Sequence, residues 1–210
     1  MYDSRSNPPD HLLGLQRAID NEPLLFYYRE YLRLLDQGLR TAALRQLDSF
    51  LETLSPLEPK AKRSLVSLLV RSCEEKQGYM QRPYPLFEKF IKPVLETWRE
   101  ELPDDPEPLR LSYGINDLAR SLILDPSCMY ARRKLIGRAL EWLDYATHEL
   151  PYGYLGNIVI DLALVELIRK EARLLPDIES IIKNIELVDR LSSKMNAYFE
   201  SIKNNLADSE

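Results

Sequence analysis

The chain predicts an all-helical fold, in which irregular hairpins are closed by one long C-terminal helix, and three observations carry that expectation. Apolar residues recur at the 3.6-residue helical period along most of the 210 residues. Only seven glycines occur, and Gly38, Gly78, Gly153 and Gly156 fall at or between periodic stretches, where a left-handed residue can end a helix. Proline marks the other breaks, at Pro56, Asp125-Pro126 and Pro176. A chain of this size can bury a substantial core. Residues 10–206 are therefore expected to form a single helical domain after a flexible start at 1–9, with 102–108 as its best internal boundary.

Residues 10–21 predict a short helix, and Pro23 suits the first turn of the next one. There Leu24, Tyr28, Tyr31, Leu32 and Leu35 share one stripe. After Asp36-Gln37-Gly38 a second stripe follows, made of Leu39, Ala43, Leu47, Phe50, Leu51 and Leu54. So short a connection predicts an antiparallel hairpin. Residues 58–77 repeat the pattern through Ala61, Leu65, Leu68, Leu69 and Cys73. Gly78 to Pro85 reads as a loop, and the helix from Pro85 to about Glu101 is expected to bend at Pro93, which lacks the backbone donor.

Residues 107–124 predict two helical pieces around Tyr113-Gly114, ended by Asp125-Pro126. Ser127 is expected to cap a helix running to about Leu150, with Leu135, Ile136, Ala139, Leu143 and Ala146 buried. Asn157 caps the next, 158–175, whose Ile158, Ile160, Leu162, Leu164, Val165, Leu167 and Ile168 occupy nearly every side and so predict a central position. The last helix follows Pro176 with Asp177 as N-cap. Its Ile178, Ile181, Ile185, Val188, Ser192, Met195, Phe199, Ile202 and Leu206 form a heptad seam. That seam either pairs a homodimer through 178–206 or, as Ile182 and Tyr198 widen the stripe, packs within the chain.

Composition narrows the function classes. The net charge of −5 opposes direct nucleic-acid binding, while a basic protein partner remains compatible. The start MYDSRSNPPD lacks the regions of a signal peptide, and no stretch approaches the roughly 18 apolar residues of a membrane span, so a cytoplasmic protein without membrane contact is expected. Cys73 and Cys128 are far apart and read as reduced thiols. Neither a Walker loop nor a dinucleotide fingerprint is present, so no cofactor is expected.

Lys60, Lys62 and Arg63 beside Glu58 read as a solvated face rather than a phosphate patch. Glu96, Glu100, Glu101, Asp104, Asp105 and Glu107 gather around LPDDPEP, either as a dock for a basic surface or as a solvated helix end.

Leu118, Ala119, Leu122 and Asp125-Pro126, followed by Ala131 and Leu135, resemble a junction between tetratricopeptide repeats, where a helix ends in an apolar-Asp-Pro sequence and the next repeat follows at once. Residues 27–56 are similar to the helix-turn-helix half of that family, with Gly38 near the turn and Ala43 at the close contact. The period of about 34 residues does not continue in either direction. Backward it meets Pro103, Pro106 and Pro108, and forward it meets one continuous helix. The tract YATHELPYGYLG at 145–156 resembles an element of bacterial helical proteins, some of them found beside toxin systems. The resemblance implies stacked helical pairs that bind protein, without catalysis or cofactor, and an immunity protein neutralising a toxin is one form of it.

The candidate partner-binding face combines a helical stripe with the loop after it. Lys134, Arg138, Glu141, Tyr145 and His148 follow spacings of four, three, four and three, and Asp144 lies one turn from His148. Both charge signs, an aromatic ring and a titratable imidazole make a binding face, though any buried stripe also leaves a polar solvent face opposite it. Tyr152 and Tyr154 add contact area, or else pack down to fix the angle between two helices. The competing readings are a small-ligand protein or enzyme with a pocket near Asp144 and His148, and a structural oligomer. A metal held by Glu141, Asp144 and His148 lacks the second histidine of a zinc helix, and His11 lies in the flexible start.

Overall fold

A computed structural model describes residues 23–74 and 83–207. The expected helix at 10–21, His11 and the Gly78 loop lie outside the described residues, as does the side chain of Cys73. Among the described residues every regular element is helical: α1 (Phe26–Asp36), preceded by a 3-10 turn, α2 (Arg40–Leu54), α3 (Pro59–Glu74), a composite α4, α5 (Glu107–Arg110), α6 (Ile115–Leu124), α7 (Met129–Thr147), α8 (Ile158–Ala172) and α9 (Ile178–Ala207). Two compact units divide between Leu111 and Ser112, just beyond the 102–108 loop.

In the first unit α1 turns back onto α2 across Gly38, whose φ of +73° belongs to the left-handed region. Leu39 N–H donates to the Leu34 carbonyl and Gly38 N–H to that of Leu35, each at 2.9 Å, which closes the end of α1 as a Schellman motif. Tyr28, Tyr31, Ala43, Leu47, Phe50 and Leu54 are buried as their spacing predicts, but Leu39 is exposed because it lies in the turn. On α3 the buried face is Leu65, Val66, Leu69 and Val70. Ala61, expected on that stripe, is exposed near the start of α3, before the first buried turn.

The composite α4 begins as Tyr84–Leu86, widens into a π-helical stretch at Phe87–Ile91 and continues as Lys92–Glu101. Lys92 N–H donates to the Phe87 carbonyl, five residues back. The wide turn directly precedes Pro93, whose ring would crowd the carbonyl of a regular turn. Three members of the expected acidic cluster have structural partners. Glu101 pairs with Arg63, Glu107 with Arg71, and Asp105 accepts from Trp98 Nε1 at 2.8 Å.

In the second unit α7 packs against α6, α8 and α9, so α7 rather than α8 takes the central place. Its Ala131 and Leu135 join Leu118 and Leu122 of α6, while Ile136, Ala139, Leu140 and Leu143 meet α8 and α9. The start of α7 departs from expectation. Ser127 does not cap it; instead Asp125 Oδ1 accepts both the backbone N–H and the hydroxyl of Ser127, and the helix begins at Met129 after Cys128. An aspartate before proline captures the following turn more readily than a serine reaches into the helix, because its carboxylate accepts two bonds at once. The Pro126 carbonyl accepts from the buried Arg132 at 2.7 Å, and Arg132 Nε also donates to buried Glu171 of α8 at 2.9 Å.

Asn157 caps α8 by accepting from the N–H groups of Val159 and Ile160. Asp177 accepts the Ser180 N–H at the start of α9. The C-terminal stripe packs within the chain through Val188, Leu191, Ser192 and Met195, whereas Ile178 and Ile182 at its start are exposed. No helix among the described residues is long and apolar enough to cross a membrane.

Candidate functional site

The candidate face grows from one buried acid. Asp161 stands in the first turn of α8, where the helix dipole favours negative charge, and has no solvent exposure. Its Oδ1 accepts from Trp142 Nε1 of α7 at 2.7 Å, and its Oδ2 from the Tyr154 hydroxyl. Burial, then the bond to Asp161, then the charge of that acid hold the Tyr154 phenol far above the usual tyrosine range. The Tyr154 ring packs edge-on against Phe199 of α9, with centroids 5.2 Å apart.

The chain between α7 and α8 is tied down along its backbone as well. Tyr152 and Gly153 N–H groups donate to the Glu149 carbonyl, and Leu155 N–H to that of Ala146, so carbonyls at the end of α7 find donors. A Cβ at Gly156 would stand 2.1 Å from Asp161 Oδ2 and 2.9 Å from the Ala146 Cβ. The backbone therefore passes the acid closer than any side-chain-bearing residue permits.

Against this fixed support a surface is left uncovered. Tyr152 is 94% exposed, Val159 76% and Ile160 57%, and Trp142, Tyr145, Leu155 and Leu162 are also exposed. Such apolar side chains, carried on a pinned turn and the helix ends beside it, are the kind of surface that marks interaction sites. They also correct the expectation that α8 is central, since its outward apolar positions Val159, Ile160 and Leu162 are exposed.

The predicted stripe on α7 separates into two parts. Lys134 Nζ and Arg138 Cζ lie 5.3 and 4.5 Å from the ring centroid of Tyr113, just before α6, and Arg138 also donates to Glu141 at 2.8 Å. This half holds elements together. The other half faces out: Tyr145 stacks on His148 and lies tilted against Trp142, with centroid separations of 5.7 and 5.9 Å. His148 Nδ1 lies 3.0 Å from the Tyr145 carbonyl oxygen, and Nε2 lies 2.7 Å from Glu149 Oε1.

At about 100° per residue, Asp144, His148, Glu141, Tyr145, Glu149 and Trp142 follow one another around α7 and its first following turn, so acid and ring alternate along the exposed arc. No described residue donates to the Asp144 carboxylate. Of the two loop tyrosines, Tyr154 packs down while Tyr152 is exposed.

Trp142, Glu149, Val159 and Ile160 were not legible as parts of this face. The readable signal for its anchor was the first acid of α8, Asp161, interrupting an otherwise apolar run.

Among the described residues no three of His, Cys, Asp and Glu converge as metal ligands would. A groove of about 750 Å³ in the first unit is lined by Asp48, Glu52, Lys62, Lys89, Phe90 and Val94 among others, and neither Asp144 nor His148 belongs to it. Cys128 is a half-buried free thiol. Comparison with known protein families, with curated proteins and with solved structures finds no match to the chain.

Proposed function

We propose that the chain is a non-catalytic docking protein that holds another protein against the surface formed by the end of α7, the turn 148–157 and the start of α8. The observation that carries this reading is the contrast at Asp161. A fully buried carboxylate fixes Trp142 and Tyr154 from inside, while Tyr152, Val159 and Ile160 next to them in the chain remain open to solvent. Burying a carboxylate is costly unless its bonds are satisfied, and here the acid holds an aromatic surface in one shape. A rigid aromatic anchor loses little entropy when a partner covers it. Irregular hairpins of the tetratricopeptide kind are a suitable scaffold for such a surface, and neutralisation of a toxin is one form the reading takes.

A photo-crosslinking amino acid at position 152, compared with one at position 190, tests the reading in the cells that make the protein. Adducts are expected from 152, and replacing Tyr145 and Val159 by serine should remove them without lowering the thermal transition. Equal adducts from both positions, or none from 152, would refute it.

A further inference from the structure

We propose that the exposed arc of α7 recognises arginine side chains on its protein partner, an inference that rests on the docking reading and names the chemistry of the occupant. The arc supplies both things a guanidinium binds. Trp142, Tyr145 and His148 form an exposed row of rings, and aromatic rings attract a cation through their quadrupole. Carboxylates alternate with those rings at Asp144, Glu141 and Glu149.

Two of the three carboxylates, Asp144 and Glu149, have no arginine or lysine beside them among the described residues. Arg138 turns to Tyr113 and Glu141, and Lys134 also to Tyr113. The Asp144 carboxylate receives no hydrogen bond from any described residue, and among those residues the Glu149 carboxylate pairs with the His148 ring alone. The chain as a whole carries −5, so a cationic surface is drawn toward it before contact. Arginine fits better than lysine. A planar guanidinium stacks on a ring while its edge donates to a carboxylate, whereas an ammonium is a strongly hydrated point charge that does one or the other.

The test uses the full chain and four labelled peptides that share their apolar residues and differ only at two positions, filled by Arg, Lys, Gln or Glu. Backbone amide shifts locate binding, and fluorescence anisotropy measures it. The arginine peptide is expected to move the amides of 141–149, to bind more tightly than the lysine peptide, and to weaken as salt rises. Replacing Asp144 by Asn together with Glu149 by Gln should weaken it about tenfold with the thermal transition unchanged.

Equal binding of the arginine and glutamine peptides overturns the inference. If both are then lost in Tyr145→Ala, docking at this face stands and only its cationic chemistry falls. Absence of any shift at 141–149 at millimolar peptide also overturns the arginine reading, and the crosslink from position 152 judges docking separately.

Discussion

The Tyr154 hydroxyl donates to the carboxylate of Asp161, seven residues further on, and that acid is wholly shielded from solvent. The bond converts the connection between two helices into a fixed piece of surface. Trp142 donates to the other carboxylate oxygen, so one side chain secures both α7 and the turn. Replacing Asp161 by Ala should cost about 3 kcal/mol, because a charge-assisted pair of bonds is lost and two donors are left facing an apolar gap. Asp161→Asn should cost about half of that, since one oxygen still accepts. Urea unfolding with an unchanged slope measures both.

Alkaline pH probes the same bond. The folded protein keeps the Tyr154 phenol neutral beyond the pH at which a free tyrosine ionises. The resulting stabilisation is whole below about pH 10 and is lost as pH rises toward the elevated folded value. Stability should therefore fall more steeply above pH 10 in the wild type than in Tyr154→Phe, which starts lower but has no phenol to ionise. Denaturation midpoints between pH 8 and 11 give the comparison; parallel curves would count against the bond.

What the sequence made legible was local, and what it hid depended on packing. The hairpin at Gly38, the break at Asp125-Pro126 and the cap at Asn157 are set by residues within one turn of each other, so their chemistry can be read in order. The pairing of Arg132 with Glu171 joins distant residues, and no periodicity points to it. The exposed apolar face of α8 is hidden from the sequence for a related reason. Periodicity counts apolar positions but does not say whether another element arrives to cover them, and Val159 and Ile160 stay exposed. On α7 the polar stripe reads as one face in the sequence, yet only packing against Tyr113 separates its structural cations from its outward arc.

Two glycines should fail for opposite reasons when changed to alanine. At Gly38 nothing lies within 4 Å of the added methyl, but φ of +73° strains any side-chain-bearing residue, so about 1 kcal/mol is expected. At Gly156 φ is not in that region, and the obstacle is Asp161 Oδ2 at 2.1 Å. Relief requires the turn to shift, at about 3 kcal/mol. Gly156→Ala should also lose docking at the 152–160 surface, while Gly38→Ala should leave it intact.

The buried pair between Arg132 and Glu171 offers a test of what the interior of the second unit needs. Both side chains are almost fully shielded, and the arginine also donates to the Pro126 carbonyl, so the pair joins α7, α8 and the break before α7. Removing one partner leaves a buried charge without its counter-ion, and Arg132→Met alone should cost about 3 kcal/mol or more. Replacing Glu171 by Leu as well removes that orphan. The double variant should then recover most of the stability, because desolvating two ions offsets much of their mutual attraction. What it cannot restore is the donor to Pro126, which leaves a residual loss of about 1 kcal/mol. A double-mutant cycle by urea unfolding separates the two effects. Additive losses would mean that the two charges do not depend on each other, and that the bond to Pro126 carries the role of Arg132.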